Sequence, residues 1–225
     1  KKVKEYNPEE IILLPLYPQF SASTSGSSVN EWNDLCKKEN YKVTTKTICC
    51  FPTENKFIES HIFLIKKTLQ TIENKNLKLI FSANGLPERK IKRGDPYQWQ
   101  VEKTVKEIIS RMKNENLDYI ISYQSRVGPL KWIGPSTDEV IIKYSKEKKG
   151  IVIVPVAFVS EHSETLVELD IEYKRREISS KKLISASSRD YMQKLLHSLE
   201  NISNKDGDVA SLINVCKKHI DSSPN

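Results

Sequence analysis

Residues Ile151 to Val159, IVIVPVAFV, are apolar throughout and mostly β-branched. A strand of that composition offers water no polar face, so it needs cover on both sides, as in a parallel sheet with helices above and below. The rest of the chain alternates to match. Strands are expected at Glu10–Leu16, Lys46–Cys50, Leu77–Ser82, Tyr119–Tyr123 and Lys182–Ala186. Helices are expected at Ser27–Lys38, Lys56–Glu73, Pro96–Asn114, Glu139–Glu147, Arg189–Leu199 and Val209–His219, with Asn201–Asp208 a loop. The predicted fold class is α/β, parallel sheets flanked by helices on both faces.

The same strand runs into a segment of different character, SEHSETLVELDIEY. Ser160 or Ser163 can cap a helix start. Along that helix Glu161, Glu164, Glu168 and Glu172 fall on one face, and Leu166, Leu169 and Tyr173 form an apolar stripe. No Lys or Arg lies between Ser160 and Tyr173. Such a face suits cations or protons, or simply water. His162 favours the first reading, because open α/β sheets bind ligands beyond the carboxyl ends of their strands.

Composition narrows the partners. The formal charge is +7, yet only seven of the 36 basic residues are Arg and the lysines are scattered, which argues against a nucleic-acid partner. A diffuse positive field suits a small acidic substrate instead. No apolar run approaches the ~20 residues of a membrane span, and KKVKEYNPEE does not open a signal peptide. A cytoplasmic protein is expected, with at most peripheral membrane contact. Cys36, Cys49, Cys50 and Cys216 lack zinc or redox-motif spacing, so reduced, mostly buried thiols are expected.

Three further stretches stand out: Leu16–Ser28, LYPQFSASTSGSS; Phe81–Tyr97, FSANGLPERKIKRGDPY; and Tyr123–Thr137, YQSRVGPLKWIGPST. Together with Val154–Tyr173, in this order, they resemble the motifs of the ferrochelatases, which insert ferrous iron into a porphyrin. The resemblance implies a chelatase-like fold of two α/β halves with protoporphyrin IX between them. Ferrous iron is then a substrate and no organic cofactor is required. Some members hold an iron–sulfur cluster, but Ala22 stands at the loop position of one ligand and Cys216 is the only late cysteine, so no cluster is expected.

The chemistry fits those residue types. A free porphyrin carries two pyrrole protons that must leave as iron enters, and imidazole and carboxylate can each take a proton or bind a divalent metal. By resemblance Glu164 faces the metal with His162 beside it, while Glu161, Glu168 and Glu172 form a proton or iron relay. Tyr17, Ser27, Trp132 and Phe158 are the candidate porphyrin-binding residues, the aromatic ones offering flat surface to the macrocycle. Gln124, Ser125 and Arg126 are candidates to meet a propionate, and Gly26, Ser27 and Ser28 to present N–H groups to an anion. In Gly94-Asp95-Pro96-Tyr97, Asp95 reads as an N-cap with Pro96 first in the helix.

Two departures from the resemblance matter. Where ferrochelatases carry His in SAHGLP or SAHSLP, this chain has Asn84, whose amide cannot accept a pyrrole proton and is a weaker ligand for ferrous iron. The chain also begins late. Residues 1–39 read as a remnant of the first domain, 40–186 as the second, and 187–225 as helices returning to the first, with a complementing N-terminal segment as a partner. A sheet short of strands exposes apolar surface, so marginal order is expected over Lys1–Lys38. Two functional readings follow: a catalytically competent ferrochelatase, catalytic at Glu164, His162 and Asn84 with Glu164 and Asn84 at the metal, or an impaired porphyrin- or haem-binding remnant.

Overall fold

The computed structural model describes residues 1–73, 76–112, 117–126 and 128–159, and the strand backbone of 183–185. Within these, strands and helices alternate as the hydrophobic pattern requires. The elements are α1 (Lys2–Tyr6), β1 (Glu10–Leu13), α2 (Ser25–Lys38), β2 (Thr44–Thr47), α3 (Asn55–Gln70) and β3 (Leu77–Asn84), then α4 (Glu88–Lys92), α5 (Tyr97–Arg111), β4 (Tyr119–Gln124), α6 (Thr137–Lys146), β5 (Gly150–Pro155) and β6 (Leu183–Ser185). The expected α/β architecture is present, with every described strand pair parallel.

The strands form two sheets. The larger has the order β4-β3-β5-β6 and the smaller pairs β1 with β2. Alternation on the larger sheet separates its two faces. Leu79, Phe81 and Ala83 of β3 and Val152 and Val154 of β5 pack with Phe57, Ile58, Leu64 and Ile65 of α3 and Val101, Val105 and Ile108 of α5. Ile80, Ile151 and Ile153 point the other way, onto Val140, Ile141 and Tyr144 of α6. Helices therefore cover both faces, which is why β3 and β5 read as continuous apolar runs. The chain passes from β3 through α5 to its neighbour β4, then crosses back through α6 to β5, so β3 lies where the winding reverses.

Several boundaries differ from expectation. The second strand lies at Thr44–Thr47, before the apolar Ile48, and pairs with β1 in the small sheet. α1 and α4, five residues each, were not expected, being too short to show periodicity. β3 and β4 run on to Asn84 and Gln124, which pair with each other. The helices expected at Arg189–Leu199 and Val209–His219, and the helix begun at Ser160 or Ser163, lie outside the described residues.

At the amino ends of the strands, Lys78 is buried, ion-paired with Asp118, and 4.4 Å from the Tyr144 ring centroid. Lys149 reaches the other Asp118 oxygen at 2.5 Å. Burial is the largest single influence and opposes the Lys78 charge, but the hydrogen bonds and charges of Asp118 and Tyr144 together outweigh it, so its pKa is raised. Hydrogen bonds from Lys149 and Lys78 lower that of Asp118.

Candidate active site

The carboxyl end of β3 is bound on both sides. Gly85 N–H donates to Gln124 O at 2.8 Å and Val156 N–H to Ser82 O at 3.0 Å, so the SANGLP turn leaves the sheet between the ends of β4 and β5. It then runs antiparallel to the KWIGP stretch: Ile133 N–H donates to Leu86 O, Glu88 N–H donates to Lys131 O, and Pro87 faces Trp132. Gly85 is needed for this approach. A Cβ there would stand 2.9 Å from Gln124 O and 3.2 Å from both Arg126 Cγ and a Trp132 ring carbon. Beneath the turn, the hydroxyls of Ser82 and Ser122 meet that of Thr137 at 3.0 and 2.9 Å, and Ser82 donates to Gln124 Oε1 at 2.6 Å.

The LYPQ loop is laced to the same end from the small-sheet side. Gln19 is buried and its Nε2 donates to Val156 O and to Thr104 Oγ1, both at 3.0 Å. Phe20 N–H donates to Gln100 Oε1 at 2.7 Å, and Phe51 N–H to Pro18 O at 2.8 Å. Asp95 joins two motifs. One of its oxygens accepts from Tyr97 N–H at 3.1 Å, while the other accepts from Ser21 Oγ at 2.9 Å and Ala22 N–H at 3.0 Å. The single carboxylate thus starts α5 and ties down the loop.

The porphyrin-side candidates sort by exposure. Tyr17 is 43% exposed, Trp132 is partly buried, and Phe158 is buried at 5%. Ser27 is exposed, and its hydroxyl lies 3.0 Å from the carbonyls of both Ser23 and Thr24. Asn84 sits half-buried at the end of β3. His162, Glu164, Glu161, Glu168 and Glu172 lie outside the described residues. Among described residues, no group of three or more His, Cys, Asp or Glu could hold a metal ion.

Four expectations are corrected. Gln124 does not face outward to a propionate: it is buried and its carboxamide is bound to Ser82. The anion nest at Gly26 and Ser28 is not open, because Gly26 N–H donates to Ser21 O at 3.1 Å and Ser28 N–H to Thr24 O at 3.0 Å. Pro96 stands in the cap position, one residue before the helix, with Asp95 bonding across it. Cys49 is exposed, and Cys36 and Cys50 are half-buried, so the described thiols are not mostly buried.

Sequence reasoning also missed His61. It lies buried on α3, Nδ1 3.0 Å from Phe57 O and Nε2 3.4 Å from Pro155 O, at the end of β5. Burial lowers its pKa, against the two carbonyl contacts that raise it. A histidine inside an amphipathic helix gives no sign of which strand end it will meet. Elsewhere, a groove of about 630 Å³ lies between α2 and β2, lined by Trp32, Cys36, Tyr41 and Val43 among others, and holds no motif residue.

Comparison with known proteins supplies the context for these loops. The family model described as Ferrochelatase matches residues 1–205. The chain is 66% identical over 174 residues to a ferrochelatase of Pelagibacter ubique, covering 77% of this chain and 50% of that protein. It is 54% identical to one from Rickettsia felis and 53% to one from Rickettsia prowazekii, each over 77% of this chain and 49% of theirs. The chain spans about half the length of the curated relatives it matches.

Proposed function

Because the chain belongs to the ferrochelatase family, we propose that it forms the iron-facing side of a site that inserts ferrous iron into protoporphyrin IX, the haem-forming reaction. The observation that carries this is the meeting of LYPQ, SANGLP and KWIGP stretches at one strand end, through Asp95, Gln19 and the Leu86–Ile133 pairing. A planar macrocycle suits that end, since Tyr17 and Trp132 offer flat surface. Phe158, being buried, serves as a support beneath it, and Ser27 marks the loop's outer margin.

Metalation needs two pyrrole protons removed. In this reading Glu164 and His162 accept them, and Glu161, Glu168 and Glu172 carry protons out or hydrated iron in. Asn84 stands at the opposite wall, where it can orient a pyrrole N–H by hydrogen bonding but cannot remove its proton. That residue favours a second reading: a site that holds porphyrin but metalates it slowly.

Anaerobic ferrous iron and protoporphyrin, mixed with the chain and with Asn84→His, separate the two by protohaem absorbance. Restoring a base should speed haem formation by ~10²-fold, at the low end for general-base catalysis. Equal rates would show that position 84 takes no part in proton transfer, and haem from neither protein would overturn the metalation reading for this chain.

A further inference from the structure

Cys49 and Cys50 follow β2 after the single residue Ile48, where the chain leaves the small sheet for α3. Cys49 is exposed and Cys50 half-buried, with their sulfurs 3.1 Å apart. Among the described residues, no third metal-ligating side chain completes a group with them. The pair is therefore suited to chemistry that two thiols perform alone. Cys50 Sγ also accepts from Gln100 Nε2 at 3.6 Å. The other end of that carboxamide, Oε1, accepts the Phe20 N–H of the LYPQ loop at 2.7 Å.

We propose that Cys49–Cys50 is a thiol-modification site, oxidised to a vicinal disulfide by low-molecular-weight disulfides of the glutathione class, and that closure loosens the hold of Gln100 on Phe20. The exposed Cys49, as thiolate, attacks one sulfur of the small disulfide and displaces a thiolate, which is protonated by the proton Cys49 gave up. Cys50 then attacks the mixed disulfide, and a second small thiolate leaves and takes up the Cys50 proton. One small disulfide is thus reduced to two thiols while two cysteines become one disulfide. The order follows from position: Cys49 is the exposed thiol, while burial raises the Cys50 pKa and the neighbouring Cys49 adds to the rise, so Cys50 is the less reactive thiol in the reduced pair.

Adjacent Cα atoms stand about 3.8 Å apart, short of the roughly 4.4–6.8 Å that relaxed disulfides span. The ring is therefore strained and easily reduced, which makes it a reversible mark rather than a staple. The sulfurs close by only about 1 Å, from 3.1 Å to a bond of about 2.05 Å, and the part of that movement made by Cys50 Sγ lengthens its contact with Gln100 Nε2, already 3.6 Å. The thiol chemistry stands apart from the porphyrin reading; only the importance of a loosened loop rests on it.

The test treats the full chain with glutathione disulfide and maps its cysteines by mass spectrometry after alkylation. Expected is a loss of two hydrogens on the peptide carrying Cys49 and Cys50, reversed by dithiothreitol, absent in Cys49→Ser and in Cys50→Ser, and kept in Cys36→Ser. Amide exchange at Phe20 should then quicken by about threefold or more in the oxidised chain, but not in treated Cys49→Ser. A mixed disulfide that never closes, or a bond to Cys36 or Cys216 instead, would overturn the site. Closure with unchanged Phe20 exchange would overturn the coupling. Neither readout involves porphyrin, so failure here leaves the chelatase reading untouched, and failure of that reading leaves the thiol site standing.

Discussion

The two sheets of this chain are built to different standards. In the larger, β3 and β5 are buried almost end to end between α3, α5 and α6. In the smaller, β1 and β2 pair only with each other among the described residues, Ile12 and Ile48 are exposed, and α2 buries only Ser25. Two strands alone are marginal in water. The small sheet is held mainly where its loops reach the large one, through Leu16, Phe51 and the Gln19 and Asp95 bonds. The contacts that anchor the weaker region are thus the ones that shape the candidate site, so stability and function converge on a few loop residues.

This contrast can be broken by substitution. Phe81→Ala, in the large core, should cost ~3–5 kcal/mol, against under ~1 kcal/mol for Ile12→Ala in the small sheet, both read by denaturant unfolding. Similar costs would mean the sheets share one packed core. Asp118→Asn leaves Lys78 buried without its charge partner. Since Asp118 itself is about half exposed, the expected loss is ~1–3 kcal/mol rather than the full cost of breaking a buried pair. Asp95→Ala should cost ~1–2 kcal/mol, with faster amide exchange at Ala22 and little change in the β3 amides. Equal acceleration in β3 would show that the loop and large sheet open together.

Acid probes the large sheet through His61. The pKa of His61 is lowered in the folded chain, so on acidification the unfolded chain binds the proton first. Its contribution is fully present above about pH 6.5 and is lost as pH falls through that unfolded value, by up to ~1.4 kcal/mol per unit. Unfolding midpoints measured against pH should show this slope reduced in His61→Asn, and an unchanged slope would assign it to other groups.

The large sheet was legible because burial on both faces leaves an unbroken apolar run, as in Leu79–Phe81 and Ile151–Val154. The small sheet was less so. Nothing in TTKT reveals that β2 pairs with β1 rather than joining the larger sheet, since that choice is made by contacts more than thirty residues apart. At the site, the motifs marked the correct turns but not the jobs of their side chains. Asp95 looked like a helix cap, and its second oxygen bonds a loop more than seventy residues earlier. Gln124 looked like a ligand contact because its motif lies at a strand end, yet one further residue of pairing turns it inward. His162 and Glu164 lie outside the described residues.

Protoporphyrin titration onto the chain and onto Asp95→Ala, followed by tryptophan quenching, tests most directly whether the joined loops form the porphyrin site. Saturable one-to-one binding, weakened about tenfold or ~1.4 kcal/mol when Asp95 is lost, is the expected result. Binding that does not saturate, or that is indifferent to Asp95, would contradict it.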